Sequence, residues 1–361
     1  MAAADLRSMS LEELEALLAG MGEKRFRAGQ LFRWMHQRWA RSFDEMTDLP
    51  KALRERLSRE AALATLEIDL AQRAGDGTVK LRLRALDGAQ VEAVYMPEAD
   101  RRTLCVSSQV GCAMGCAFCR TASMGLVRQL SAGEIVEQVH RVNQRLVAEG
   151  LPGPRPLTNL VFMGMGEPLH NFENVKRALQ VLEHPAGPNF SNRHLTVSTS
   201  GLVPGIARLG AETDVKLAIS LNATTEEQRA RLMPVTKKWD LEALAQAVRE
   251  FPSRQGRRVT FEYVMLAQVN DSLDDARRLA RLVLGLKAKV NLIPYNANPD
   301  LPFGAPAADR VAEFHDLLVG LGVEAFTRKS RGQDIAAACG QLVAPGRKPV
   351  PEREAAPAQG K

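Results

Sequence analysis

From residue 159 to residue 328 the chain repeats one alternation, a short apolar run followed by an amphipathic run of helical period. The apolar runs are NLVFMG (159–164), LTVSTS (195–200), VKLAIS (215–220), VTFEYVML (259–266), KVNLIPY (289–295) and VEAFTR (323–328). The helical segments between them include DLEALAQAVREF and DARRLARLVLGL. An earlier one opens at Ser131 with Glu134 three residues on, a capping-box pattern, and continues through Ile135, Val136, Val139 and Val142. Parallel strands need crossover connections, so this alternation predicts a parallel sheet with helices packed on it. Six or seven such units fit an incomplete (β/α) barrel better than a short open sheet. Ligands of such folds sit at the C-terminal strand ends, which is where functional residues are expected.

Upstream the period is two. LEIDLAQ, TVKLRLRAL and QVEAVYMP alternate, with turns expected at Asp76-Gly77 and Asp87-Gly88. They read as a small antiparallel meander leading into TLCVSSQVGC, a further strand. The first sixty residues read as helical. Residues 24–59 hold ten Lys/Arg against four Asp/Glu, an excess of six that equals the formal charge of the whole chain, +6. This stretch is either a solvated face over two core tryptophans, Trp34 and Trp39, or a nucleic-acid-binding face. The expected division is a basic helical accessory domain (1–62), the meander (63–100), the barrel (101–343) and a Pro-rich disordered tail (344–361). No run of eighteen apolar residues exists, which excludes a transmembrane helix, and the N-terminus lacks an apolar secretory core with a cleavage site. A cytoplasmic, monomeric protein without membrane partners is expected.

Four of the five cysteines lie between Cys105 and Cys119. A disulfide framework would spread them, so the clustering points to metal or catalysis. Cys112, Cys116 and Cys119 have the spacing C-x3-C-x2-C. Three thiolates on one short loop can hold three irons of a cubane cluster, which ordinarily takes four, leaving one iron open to a small molecule. The alternative is structural zinc, which usually needs a second cysteine pair or histidines. No such pair follows, and none of the six histidines lies within twenty residues of the loop.

CAMGCAFC, with Phe118 before the last cysteine and a run of β/α units behind it, resembles the signature of the radical S-adenosylmethionine superfamily. The resemblance implies a [4Fe–4S] cluster whose open iron chelates S-adenosylmethionine and whose electron cleaves it to a 5′-deoxyadenosyl radical. Met163-Gly164-Met165-Gly166-Glu167-Pro168 then resembles that superfamily's GxGEP motif, with Gly166 and Glu167 at the methionyl amino group. By itself it reads as a tight turn with an exposed glutamate. Ser198, Ser220, Leu221, Asn222 and Asn296 follow at successive strand ends as further cofactor-binding candidates. Singly, small polar residues there are turn or cap residues; together they describe a pocket rim.

Cys105 and Cys339 would ordinarily be small buried hydrophobes. TLCVSSQVGC, GMGEPL, SFDEMTDLPKALRE and RGQDIAAACGQL, however, together resemble the radical S-adenosylmethionine adenine-C2 methyltransferases of 23S ribosomal RNA and tRNA, over roughly residues 10 to 343. That family's chemistry implies two S-adenosylmethionine molecules per turnover. One methylates Cys339; the radical made from the other activates this methyl group, which adds to adenine C2, an electrophilic carbon that cannot attack a methyl sulfonium. The resemblance assigns Glu92 as proton acceptor and Cys105 as the partner of a transient disulfide with Cys339. Such a bond requires Cα atoms within about 7 Å. By strand alternation Glu92 shares a face with Val94, and its bland reading is a solvent-facing strand residue. The implied partners are 23S rRNA, tRNA with its anticodon-adjacent adenine, and an electron donor of reductase or flavodoxin type. Affinity for RNA would come largely from phosphate neutralisation by residues 24–59, helped by Arg101, Arg102 and Arg120. Alternatives are the sister family that methylates adenine C8 and a non-enzymatic zinc protein that binds RNA.

Overall fold

The computed structural model describes residues 4–63, 65–153, 155–252 and 258–343. The tail expected to be disordered lies outside them. The N-terminal region contains α1 (Leu11–Gly20), α2 (Phe26–His36) and α3 (Lys51–Glu60). Ser10 opens α1 with a capping box to Glu13. Two short strands, β1 (Ala4–Asp5) and β2 (Ala61–Ala62), pair in parallel and tie the two ends of the region together. Its core is built from Leu14, Leu18, Leu31, Phe32, Met35, Leu53 and Leu57. Neither tryptophan is fully buried in that core. Trp34 is half-buried, donates from its indole nitrogen to Asp48 Oδ1 at 2.5 Å, and carries the Arg38 guanidinium 4.2 Å above its ring.

The meander forms as expected, from β3 (Leu66–Arg73), β4 (Val79–Ala85) and β5 (Gln90–Pro97). It pairs antiparallel with β6 (Arg102–Cys105), the first barrel strand, so meander and barrel share one sheet. TLCVSSQVGC is not one strand. The chain leaves the sheet after Cys105, and β7 (Gln109–Gly111) pairs instead with β8 (Leu126–Gln129), a hairpin that brackets the cysteine loop and α4 (Arg120–Ser123).

Then follow α5 (Ala132–Ala148), capped by Ser131 and Glu134, β9 (Asn159–Phe162), α6 (Phe172–Glu183), β10 (Leu195–Thr199), α7 (Val203–Glu212) and β11 (Lys216–Ser220). Next are α8 (Glu226–Leu232), α9 (Leu241–Glu250), β12 (Val259–Met265), α10 (Leu273–Val283), β13 (Ala288–Pro294), α11 (Ala308–Gly320) and β14 (Ala325–Thr327). The sheet order is β14-β13-β12-β11-β10-β9-β6-β5-β4-β3, with β6 and β9 to β14 all parallel in chain order. Its two edges, β14 and β3, do not meet, so the barrel is partial. Residues at the ends of β9 to β14 nevertheless line one cavity, which a flat sheet would not permit. Among the described residues, no helix is long and apolar enough to cross a membrane.

Candidate active site at the barrel mouth

The cysteine loop is held by backbone at both ends. Gly111 takes φ +75°, and a Cβ there would lie 1.9 Å from the Gly125 carbonyl oxygen. The Cys112 N–H donates to that same oxygen at 3.0 Å. Farther along, Ala117 N–H donates to Leu232 C=O (2.9 Å) and Arg120 N–H to Gly340 C=O (2.7 Å), anchoring the loop to α8 and to the C-terminal segment. Burial pushes the Cys112 thiol up to about 12 and raises Cys116 and Cys119 as well. Three desolvated thiols become thiolates when a metal supplies the compensating charge. Among the described residues no three His, Cys, Asp or Glu side chains converge on one ion.

The Met163–Pro168 segment lies against residues 106–109. Met165 N–H donates to Ser107 Oγ (2.8 Å), and its carbonyl accepts from Ser108 N–H (2.9 Å). Gly166 takes φ +100°, and a Cβ there would sit 2.5 Å from Gln109 Cβ. Glu167 is 3% exposed, against the reading of an exposed turn glutamate. Its Oε1 accepts from Leu169 N–H (3.0 Å) and its Oε2 from Ser200 N–H (2.7 Å), while burial raises its pKa. The remaining lone pairs suit a cationic donor such as an ammonium.

Gly166, Glu167, Ser198, Ser220 and Asn222 line one chamber of about 900 Å³ with the three loop cysteines and Cys339. Asn222, in left-handed backbone at φ 58°, accepts from Val264 N–H at 2.8 Å. Leu221 is not brought to this chamber. Its side chain joins the core, its N–H donates to Glu262 C=O (3.0 Å) and its carbonyl accepts from Arg229 Nε (3.1 Å). Asn296 lines a second chamber, and its Oδ1 accepts from Gln333 Nε2 at 2.7 Å.

That second chamber, of about 760 Å³, brings together Cys105 and Cys339 from opposite ends of the barrel sequence. Both are free thiols. Burial, with the Cys339 sulfur adding to it, pushes Cys105 up to about 12. The two chambers share Cys119, Met163, Gly164, Ile293, Arg328, Cys339 and Gly340, so Cys339 stands in their common wall.

The C-terminal segment that carries Cys339 is fastened to the meander. Gly332 N–H donates to Asp76 Oδ2 (3.0 Å), Gly75 N–H to Asp334 Oδ2 (2.9 Å) and Lys80 Nζ to the Ala336 carbonyl (3.3 Å). At its far end Val343 N–H donates to Glu92 Oε2 at 2.9 Å. Glu92 is therefore no solvent-facing residue. It is 4% exposed, lies 3.6 Å from Lys80 Nζ, and burial raises its pKa. Sequence reasoning missed two wall residues, Glu262 and Arg328. The available signal was a charge in the middle of the apolar run VTFEYVML.

Residues 4–63 match the family described as Ribosomal RNA large subunit methyltransferase N-terminal domain, and residues 106–283 match the Radical SAM superfamily. Over 355 residues the chain is 61% identical to the dual-specificity RNA methyltransferase RlmN of Anaeromyxobacter dehalogenans (strain 2CP-C), covering 98% of this chain and 95% of that protein. It is 57% identical over 340 residues to dual-specificity RNA methyltransferase RlmN 2 of Myxococcus xanthus (strain DK1622), covering 94% and 90% of the two chains. The crystal structure of a radical SAM methyltransferase from Sphaerobacter thermophilus superposes with a TM-score of 0.89 at 46% identity, covering 94% of this chain and 99% of that one. The chain therefore belongs to the RlmN family of dual-specificity RNA methyltransferases, radical enzymes that methylate RNA using a [4Fe–4S] cluster and S-adenosylmethionine.

Proposed function

We propose that this enzyme methylates C2 of adenine in 23S rRNA and in tRNA, consuming two S-adenosylmethionine molecules per turnover. The observation that carries the reading is Cys339 in the wall common to two chambers, a position from which one sulfur can receive a methyl group on one side and deliver it on the other. Cys112, Cys116 and Cys119 would hold the cluster. Gly166, Glu167, Ser198, Ser220 and Asn222 would hold S-adenosylmethionine, with Asn296 contributing from the adjoining chamber. When bound, cluster and cofactor together supply a carbon radical able to remove a hydrogen atom from a methyl group.

The protein's own residues do the rest. Cys339 accepts a methyl group as a thiolate, with loss of its proton. Its activated methyl carbon bonds to adenine C2, joining enzyme and RNA. Glu92, buried and raised, would receive the proton that C2 must lose, and the adduct's unpaired electron would pass back to the redox carrier that serves the enzyme. Cys105, on the same chamber, would close a transient disulfide with Cys339 and release the methylated base. The target base must leave its stack to enter. Lys329 and Arg331 on the chamber wall, with the basic helices of residues 24–59, supply charge for the RNA backbone. A cytoplasmic monomer served by an external electron donor of reductase or flavodoxin type belongs to the same reading.

The test is nucleoside mass spectrometry on RNA treated with wild-type and Cys339→Ala enzyme. The wild type yields 2-methyladenosine, and the variant yields none while still cleaving S-adenosylmethionine. Methylation persisting in the variant overturns the carrier role, and 8-methyladenosine as the product favours the sister chemistry.

A further inference from the structure

Two charged side chains face the barrel mouth without a full set of protein partners. Arg328, just past β14, is fixed through its backbone, whose N–H donates to Leu292 C=O at 2.8 Å. Its guanidinium makes no hydrogen bond or ion pair among the described residues, although it lines both chambers. Glu262 on β12 is 6% exposed and faces the first chamber. Its Oε1 accepts from Asn291 Nδ2 at 3.1 Å, and its Oε2 has no partner. A buried acceptor such as Glu262 Oε2 is costly to leave unpaired unless a ligand completes it, and the half-buried Arg328 guanidinium keeps donors open toward the same chamber.

The pair has an order. Arg328, just past β14, stands with Cys339 in the wall common to both chambers, and Glu262, which lines the first chamber alone, lies beyond it across β13. Along the wall, then, a methyl-carrying sulfur is followed by a fivefold donor and then by an open acceptor. Along one edge of adenine, C2 is followed by N1, an acceptor, and by the N6 amine, a donor. The two sequences are complementary.

We propose that Arg328 donates to N1 of the target adenine while Glu262 accepts from its N6 amine, so that the pair reads the base and sets C2 against Cys339. This rests on the adenine-C2 reading above. A guanidinium on N1 also draws electron density from the amidine carbon C2, which favours bond formation with the electron-rich carbon next to sulfur. Guanine presents N1–H and O6 instead, so donor would meet donor and acceptor would meet acceptor, and the site rejects it. No oxidant or reductant beyond those of the methyl transfer is needed, because both contacts are hydrogen bonds.

The experiment is a pair of binding cycles with anaerobic holoenzyme and stem-loop RNAs. One RNA carries adenine at the target position, one carries 1-deazaadenine, which lacks the N1 acceptor, and one carries purine, which lacks the amine. Affinity, unlike turnover, does not depend on the altered reactivity of C2 in the analogues. For the wild type, removing N1 should weaken binding about 10- to 100-fold, the range of a hydrogen bond to a charged group. Arg328→Met should weaken adenine RNA by a similar factor and be indifferent to the 1-deaza change, with Arg328→Lys recovering part of the loss. Glu262→Gln should become indifferent to loss of the amine. Independent, multiplying losses overturn the proposal, as does a Glu262→Gln defect seen in S-adenosylmethionine affinity rather than RNA affinity. Loss of Cys339 methylation in Arg328→Met, read by intact mass, would also overturn it and assign the arginine to the sulfur. Failure of the adenine-C2 reading itself is seen separately, as absence of 2-methyladenosine with wild-type enzyme.

Discussion

Glu137 on α5 and Glu262 on β12 are both buried carboxylates near arginine, and they end in opposite states. Burial raises Glu137, but Arg7, His140 and Arg141 more than offset it, and the net shift is downward. Arg7 Nη1 donates to Oε2 at 2.6 Å and Arg141 Nε to Oε1 at 2.6 Å, while Arg7 also reaches the Met35 and Ala40 carbonyls of the N-terminal region. Glu262 has one neutral donor on one oxygen, and burial leaves it raised. A carboxylate closed by the protein's own cations fastens one region to another. A carboxylate left half-open at the barrel mouth is available to a ligand, and its burial works against the fold until one arrives.

The largest effect should come from opening the closed cluster. Arg7→Met leaves Glu137 buried without its principal cation, which should cost about 3–5 kcal/mol of unfolding free energy. Denaturant unfolding measures it. The double variant Arg7→Met/Glu137→Leu should recover most of the loss, since the isolated charge is gone. A single-variant cost under about 1 kcal/mol would mean that the cluster is not the fastening it resembles.

The same cluster sets a pH window. Around it lie His36 and His140, both fully buried, with His184, Arg7 and Arg141 as the other nearby basic side chains. Burial lowers His140 to about 4 and His36 well below its ordinary value, so both are neutral in the fold and take up protons when unfolded. Stability is therefore full above about pH 6.5 and falls with pH toward the folded-state values. The slope should approach about 1.4 kcal/mol per pH unit for each imidazole. Glu137, lowered in the fold, extends the loss below about pH 4.5. Thermal unfolding from pH 7 to 4.5 should show this, and His36→Phe should reduce the slope by roughly one imidazole. An unchanged slope in that variant would remove His36 from the account.

What could be read in the sequence follows the range of the interactions involved. The six parallel strands β9 to β14 were legible because each lies in a short, mostly apolar run, and the cysteine loop and Met163–Pro168 because their residues are close in sequence. The break after Cys105 was not, since Val106, Ser107 and Ser108 continue a strand-like pattern. What bends the chain there is distant: Ser107 Oγ donates to the Glu92 carbonyl at 2.6 Å, and Ser108 N–H to Met165. Core tryptophans were one of two readings of residues 24–59; leucines, Phe32 and Met35 fill that core, and Trp34 packs half-buried against it. The docking of residues 332–336 onto the meander joins groups some 256 positions apart, as Asp76 with Gly332, and no local period encodes that. Glu262 was lost in an otherwise apolar run, where one charge barely alters the average. Arg328 gains its meaning only once both chambers exist.

Between fastening and mouth stands the Met163–Pro168 turn, which holds a polar side chain by backbone geometry. Gly166→Ala adds a methyl group 2.5 Å from Gln109 Cβ at a positive φ. A cost of about 2 kcal/mol is expected. The accompanying shift of Glu167 should weaken S-adenosylmethionine binding, measured by calorimetry on the same sample. Unchanged affinity would separate the turn from the cofactor.

The smallest effect on stability, and the sharpest against Arg7→Met, belongs to Glu262→Gln. Glutamine keeps an oxygen for Asn291 and carries no charge to desolvate. Because the folded-state value of Glu262 is raised, wild-type stability declines as pH rises past the ordinary carboxylate value of about 4.5, as the buried group ionises or retains its proton at a cost. The variant is free of that decline. It should match the wild type near pH 4.5 and exceed it by up to about 1 kcal/mol at pH 8, while RNA methylation falls. Unfolding midpoints at the two pH values measure the difference. A loss of more than about 1 kcal/mol at pH 8 would show that Glu262 is fastened from within, as Glu137 is, and that the contrast between the two carboxylates does not mark the site.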